Sequence, residues 1–492
     1  MKRGSAPPVA LAPSPPPARE LIRESLRIAG QKVPRERVSE IHHPYSGELV
    51  GTVPKASVAD VNRALQTARD YRAQLTRHDR YRILMRTGEV ITAKRDELAR
   101  LITLESGLCL KDSLYEVGRA ADVVLFAANQ ALVDDGQVFS CDLTPHGRNR
   151  KVYTLREPLL GVITAITPFN HPLNQVIHKL APAVATNNRV VLKPSEKTPL
   201  TAYALADILY EAGLPPPMLS VVTGDPAEIA DELLTHPAVD LVTFTGGVEI
   251  GKHIAARAVY KRQILELGGN DPLIVLEDAD VEEAASLAAS GSYKNSGQRC
   301  TAIKRILVQE SIAERFVELL VAKTRAVKYG DPFDPAMDMG TVIDEAAAQR
   351  FEAVVSEAVT QGARLLVGNI RRGALYSPTV LDHVQPEMTV VRRETFGPVS
   401  PVIRFAHVDQ AIQIANGTAY GLSAAVCTNR LDLITRLVRE LHVGTVNVRE
   451  VPGYRLEVTP FGGIKDSGLG YKEGVLEAMK SFCNTKTYSL PW

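Results

Sequence analysis

The run Ser296-Gly297-Gln298-Arg299-Cys300-Thr301 sets a cysteine among small and polar residues, directly after an arginine. A neighbouring guanidinium favours the thiolate, and the thiolate is the nucleophile. The competing reading is a buried structural cysteine, the usual condition of a free thiol. Three residues elsewhere could complete a reaction centre. They are Glu266 in Glu-Leu-Gly-Gly-Asn, Asn170 in Thr-Pro-Phe-Asn-His and Glu394 in Glu-Thr-Phe-Gly-Pro. Glu266 closes an expected strand before two glycines, where a carboxylate could serve as a general base. Asn170 offers an amide N–H to an oxyanion. Their plainer readings are a hydrogen-bonded structural glutamate and a turn asparagine.

The elements that must position these residues follow two rhythms. Residues 1–18 hold six prolines and read as a disordered tail, because such a segment cannot bury enough surface to offset its ordering entropy. A short helical start is expected near 19–28, then a hairpin over 37–53 turning at Pro44 and Gly47. Apolar residues at helical spacing follow over 57–71, 77–104 and 111–131. A protruding hairpin over 138–160 and a final strand over 485–490 read as one oligomerisation element.

From Gly161 the pattern becomes strand, turn, helix, with strands at 161–166, 189–192, 219–222 and 240–245. That alternation predicts a doubly wound parallel sheet. Ligands of such sheets bind beyond the carboxyl ends of the strands, and Asn170, Lys193 and Gly246 all fall just past a strand end. A second alternating set starts at 263–267, with strands near 272–276, 305–309, 400–404 and 444–448. The expected division is a tail at 1–18, a dinucleotide-binding domain from 19–137 and 161–266, a catalytic domain over 267–460, and a β element from 138–160 and 480–492.

Composition narrows the function. The chain has 492 residues, 45% hydrophobic and 23% charged, with a net charge of +1. That balance gives no footprint for nucleic acid or an anionic membrane, and no apolar run approaches the length of a bilayer span. Five widely spaced cysteines without a CxxC argue against a disulfide framework and a zinc site, and fit a reducing cytoplasm. No metal is expected.

Two stretches suggest a dinucleotide. Lys193-Pro194-Ser195-Glu196 is a strand-end loop in which a glutamate could take an adenosine ribose diol and repel a 2′-phosphate, favouring NAD. Gly246 and Gly251 bracket a helix start, where free N–H groups suit a pyrophosphate. The G-x-G-x-x-G fingerprint is absent. In isolation both stretches could be ordinary solvated turns.

Taken together, Pro168-Phe169-Asn170, Lys193-Pro194-Ser195-Glu196, Phe244-Thr245-Gly246-Gly247-Val248-Glu249-Ile250-Gly251, Glu266-Leu267-Gly268-Gly269, Gly297-Gln298-Arg299-Cys300 and Glu394-Thr395-Phe396-Gly397-Pro398 resemble the NAD(P)-dependent aldehyde dehydrogenase superfamily over roughly residues 35–490. The resemblance implies that family's α/β fold: two doubly wound domains plus a small β oligomerisation element, in a homodimer or homotetramer. It implies that Cys300 attacks an aldehyde and that Asn170 and the Cys300 N–H hold the oxyanion. Hydride transfer to NAD, or to NADP as the less favoured alternative, then leaves a thioester, which water activated by Glu266 hydrolyses. The same resemblance assigns coenzyme contacts to Ile166, Thr167, Pro168, Lys193, Ser195, Glu196, Gly246, Gly247, Gly251, Leu267, Glu394 and Phe396. Gly247 stands where many relatives have serine.

Arg299 stands where hydrophobic-substrate relatives carry an apolar residue or cysteine, which suggests an anionic substrate group. His171 follows the oxyanion asparagine, Arg119 lies on the helix that lines the tunnel in the family, and Thr301 follows the nucleophile. All four are assigned to substrate. The alternatives are that Arg119 pairs with Glu116 or Asp122 at helical spacing, that Arg299 only tunes the thiolate, and that His171 is packed. The blocks around Asn170 and Cys300 are most similar to phosphonoacetaldehyde dehydrogenases, implying oxidation of phosphonoacetaldehyde to phosphonoacetate. Non-phosphorylating glyceraldehyde-3-phosphate, lactaldehyde and semialdehyde dehydrogenases are alternatives. Outside the class stand a coenzyme-independent cysteine esterase and a non-catalytic protein of this fold.

Overall fold

A computed structural model of the chain describes residues 20–133, 136–471 and 473–491. The Pro-rich tail expected at 1–18 lies outside the described residues. Seven strands form the first sheet, in the order Arg262–Glu266, Val239–Thr245, Val162–Ile166, Val190–Lys193, Leu219–Val221, Leu26–Ile28 and Gln31–Val33. The first five run parallel, and the last two add an antiparallel edge.

Both faces of this sheet are buried, as parallel strands require. Ile163, Ala165, Leu192 and Leu241 pack with the Arg77–Ala93, Leu110–Ala131, Asn174–Ala185 and Leu200–Glu211 helices. Their neighbours Val162, Val191 and Val242 point the other way, onto the Val58–Asp70, Pro226–Thr235 and Val248–Arg257 helices. The period of two along each strand therefore dictates a helical layer on both sides.

The chain lays down 162–166, 190–193 and 219–221 in one direction. It then returns to add 239–245 and 262–266 on the other side of the starting strand. The topological switch thus lies between Val162–Ile166 and Val239–Thr245, which places a ligand crevice at their carboxyl ends.

The second sheet orders Arg364–Val367, Thr379–Asp382, Val399–Phe405, Ile303–Gln309, Asp271–Val275, Ser423–Cys427 and Thr445–Val448. It is parallel apart from the antiparallel edge strand 364–367. Val138–Ser140, Arg150–Pro158 and Cys483–Pro491 form a third, antiparallel sheet. It leaves Val138, Phe139, Leu155 and Tyr488 exposed. No helix among the described residues is long and apolar enough to cross a membrane.

Three sequence expectations are corrected. Residues 19–28 do not start a helix; they give the short strands Ile22–Arg23 and Leu26–Ile28. Arg27 is fully buried there, with its guanidinium on Asp207 and Glu24, so tertiary pairing overrides local spacing. The helical stretch 77–104 is two helices, Arg77–Ala93 and Arg95–Ser106, broken at Lys94. Strand Arg262–Glu266 does not open the second sheet; it is the edge of the first, in register with Val239–Thr245.

Candidate active site

Four parallel strands of the first sheet end on one cleft of about 760 Å3. Its wall takes Ile166, Thr167 and Pro168 after one strand, Lys193, Ser195 and Glu196 after the next, and Gly246 and Gly247 after the third. Glu266 and Leu267 follow the fourth, and Glu394, Phe396 and Cys300 close the cleft from the second sheet's side. The structure thus brings together every residue expected at the coenzyme except Gly251. That glycine is buried beneath Leu267, where a Cβ would collide with the leucine methyls. It lets the helix pack closely on Leu267 and does not itself line the cleft.

The shape and chemistry of the cleft fit a dinucleotide. Gly247 caps the Val248–Arg257 helix without any side-chain cap, so backbone donors at that N-terminus remain for a phosphate. The Gly246 N–H is committed to the Glu266 carbonyl at 3.0 Å. Glu196 forms an ion pair with Lys193 at the far end. Ile250, Ile254, Pro226 and Ala230 give that end apolar walls suited to a flat base. His253 also lines it and was not anticipated.

Cys300, the expected nucleophile, sits after an unusual turn. Asn295, Ser296 and Gly297 are all left-handed, with φ of 60°, 53° and 69°. For the two non-glycine residues this costs about 1–2 kcal/mol each. The surroundings hold it. Asp112 accepts the Asn295 N–H at 2.7 Å, Asn295 Nδ2 donates to the Asn170 carbonyl at 3.0 Å, and Gln298 Oε1 accepts the Ile343 N–H at 2.9 Å. A Cβ on Gly297 would overlap the Gly397 carbonyl, so glycine is needed both for the turn and for bringing the Glu394–Gly397 segment against it.

Asn170 is buried and donates one amide proton to the Gln298 carbonyl at 2.9 Å, leaving its second for a ligand. The Cys300 N–H has no acceptor among the described residues. Glu266 is buried on the same wall. Burial pushes the Cys300 thiol up to about 11, against which Lys304 acts to lower it. The arginine expected to favour the thiolate points elsewhere, with Arg299 Nη2 donating to the Gly291 carbonyl at 2.7 Å.

Arg299 opens instead onto a second cavity of about 800 Å3, so adjacent residues 299 and 300 face two different spaces. This cavity is lined by Arg95, Arg119, Lys294, Arg299 and Arg455 against only three carboxylates, Asp122, Glu450 and Glu457. Arg119 pairs with Glu457 rather than with Glu116 or Asp122. Burial would raise the Glu457 carboxyl, but a 2.6 Å bond from His178 and the Arg455 and Arg119 guanidinium groups hold it well below the usual carboxylate range. Arg455 Nη1 and Arg299 Nε are buried without a hydrogen-bond partner. Leaving a charged donor unmade is costly, and both side chains line this cavity.

His171 lies on neither wall; its Nδ1 is 3.4 Å from Glu116. Glu116 also accepts the Leu173 and Asn174 N–H groups at 2.8 and 2.9 Å. The structure places His171, expected at the substrate, beside this helix-capping glutamate and on neither cavity wall. Thr301 abuts Gly453 at the rim of the second cavity.

Arg455 and Lys294 are cationic lining residues that the sequence did not reveal. Arg455 lies just before the Pro460-Phe461-Gly462-Gly463 block in a segment with no periodicity, and its guanidinium stacks 3.9 Å from the Phe461 ring centroid. Only that proximity to a recognisable block could have flagged it.

The sequence profile of the aldehyde dehydrogenase family matches residues 32–488. A 3-sulfolactaldehyde dehydrogenase of Priestia aryabhattai is 39% identical over 436 residues, 88% of this chain and 91% of that protein. A lactaldehyde dehydrogenase of Methanocaldococcus jannaschii is 37% identical over 467 residues, 94% and 98% of the two chains. The crystal structure of an NADP-dependent glyceraldehyde-3-phosphate dehydrogenase from Bacillus halodurans C-125, complexed with NADP, superposes with a TM-score of 0.93 at 36% identity, covering 96% of this chain and 99% of that one.

Proposed function

The chain belongs to the aldehyde dehydrogenase family, and from that premise we propose that it oxidises a small anionic aldehyde, phosphonoacetaldehyde above all, to its carboxylate with NAD. The observation that carries this reading is the position of residues 299 and 300: Cys300 faces the dinucleotide-shaped cleft, and Arg299 faces a cavity with an excess of cations.

When bound, NAD(P) supplies the hydride acceptor. Lys193 and Glu196 would hold its adenosine end, the 247–249 N–H groups its phosphates, and Glu394 and Phe396 its nicotinamide side. Glu196, a carboxylate where a 2′-phosphate would fall, favours NAD.

The cleft's lining supports the following roles for the chain's own residues. Cys300 Sγ attacks the aldehyde carbon. The second Asn170 amide proton and the Cys300 N–H converge on the developing oxyanion, donors whose preorganisation is worth about 3–4 kcal/mol each in comparable sites. After oxidation the acyl group remains on Sγ as a thioester, and Glu266 takes a proton from the water that releases it. Splitting the reaction through a covalent intermediate is the gain from the nucleophile.

Arg455 and Arg299 line the cavity that would receive the anionic group. The sulfonate and phosphate substrates named for two relatives share this strong-acid character with phosphonoacetaldehyde. The sulfolactaldehyde relative makes 3-sulfolactaldehyde the second reading, a monoanion in place of a dianion. Arg455→Ala is expected to lower kcat/KM for an anionic aldehyde about 100-fold, as for loss of a charge-assisted hydrogen bond, and to change that for propanal by less than about threefold. Equal losses on both substrates would deny Arg455 a substrate role.

A further inference from the structure

Lys304 is the first cation in line beneath the nucleophile, and no step described above uses it. It stands near the start of strand Ile303–Gln309 with its side chain 1% exposed. All three ammonium protons are committed. Nζ donates to the Cys300 carbonyl at 2.7 Å and the Arg299 carbonyl at 2.8 Å, and lies 3.1 Å from Glu394 Oε1. Glu394 Oε1 in turn accepts the Gly269 N–H at 3.1 Å. A Cβ at Gly269 would strike the Cys300 carbonyl, so the glycine, the carboxylate and the ammonium pack as one unit around the 299–300 peptides.

A buried ammonium is expensive unless it is paired and fully hydrogen-bonded. Here the partners are two carbonyls of the nucleophile's own turn and a carboxylate on the cleft wall. We propose that Lys304 is a positioning residue for the nucleophile: it anchors the 299–300 carbonyls to Glu394, fixes where Sγ points, and supplies the buried positive charge that favours the thiolate. The inference rests on the reading of Cys300 as nucleophile.

Other charged groups face the same thiol. Asp271, pushed up to about 7 by burial, and Glu394 act against the thiolate, Arg455 acts for it, and Glu266 shares the wall. Arg299 is held away on the Gly291 carbonyl. Arg305, the next residue, turns to the opposite face and spends its donors on the Asn270, Ile414 and Ala415 carbonyls. It cannot replace Lys304.

The test is the pH dependence of Cys300 alkylation by iodoacetamide in the full-length protein, read by peptide mass with Cys300→Ala as the blank. Lys304→Met is expected to move the alkylation midpoint up by about one unit, slowing reaction at pH 8 about tenfold, because reactivity tracks the thiolate fraction. Lys304→Arg is expected to restore most of the shift. Glu394→Gln, which removes a negative charge beside Lys304, is expected to move the midpoint down. A Lys304→Met profile that coincides with the unsubstituted protein overturns the proposal. If that variant does not fold, an unmoved midpoint in Glu394→Gln overturns it. Complete resistance of Cys300 in the unsubstituted protein would overturn the nucleophile, and this inference with it.

Discussion

Cys300→Ala is expected to abolish aldehyde oxidation, lowering kcat roughly 10^5-fold, the scale seen when a covalent nucleophile is removed. Coenzyme affinity should stay within about twofold, because one side chain at the end of a long cleft contributes little to uniform binding. The asymmetry follows from where Cys300 lies. It lines the cleft that is also lined by Lys193 and Glu196 of one strand-end loop and by Ile250 of the Val248–Arg257 helix, the residues proposed to hold the adenosine. Initial rates of nicotinamide reduction and a fluorescence titration with NAD measure the two quantities. Turnover retained in Cys300→Ala would dismiss covalent catalysis, and a rival cysteine esterase would show hydrolysis with no nicotinamide reduction.

Glu266→Gln is expected to separate the two halves of the reaction. The first half needs Sγ, Asn170 and the Cys300 N–H, none of which the substitution touches. The second needs a proton acceptor for water, and loss of a general base typically costs about 10^2–10^4-fold. A single turnover of nicotinamide reduction should therefore appear as a burst, followed by slow steady-state release. The acyl group should be visible as added mass on the Cys300 peptide. Glutamine keeps the volume of a residue buried at 4% exposure, so a folding defect is not the expected outcome. Normal turnover without an adduct would remove Glu266 from the base role. An adduct that water fails to release but another thiol does would still assign Glu266 to water.

Local periodicity made the scaffold legible. The capped Val58–Asp70 helix, with Ser57 and Asp60 forming a reciprocal box, and the apolar stripe of Leu110–Ala131 announce themselves within one or two turns. The strand–helix alternation after Gly161 likewise specifies a parallel sheet and, through the switch point, the cleft. Glycine-rich blocks were readable because their reasons are short-range or steric, as at Gly297.

What escaped depends on long-range partners. Leu26–Ile28 forms a hairpin with Gln31–Val33 and joins the sheet through the edge strand Leu219–Val221. Arg262–Glu266 belongs to the first sheet only because Val239–Thr245 is there to pair with it. Lys304 is invisible as an anchor until Glu394, 90 residues on, folds against it. Arg119 carries a helical pattern that offers Glu116 and Asp122 as partners, yet its charge goes to Glu457 from the distant 449–461 segment. His171, adjacent to Asn170, turns away to Glu116 because that glutamate already caps the following helix. Adjacency in sequence does not fix which of two cavities a side chain meets.

The most direct test of the central claim is kcat/KM for phosphonoacetaldehyde, 3-sulfolactaldehyde, glyceraldehyde 3-phosphate, lactaldehyde and propanal, each with NAD and with NADP. The expected result is phosphonoacetaldehyde with NAD leading propanal by at least about 100-fold, roughly 3 kcal/mol of transition-state discrimination. Propanal or lactaldehyde matching the anionic aldehydes would contradict the reading, leaving the cations around Arg299 and Arg455 as structural groups and the chain as an aldehyde dehydrogenase for neutral substrates.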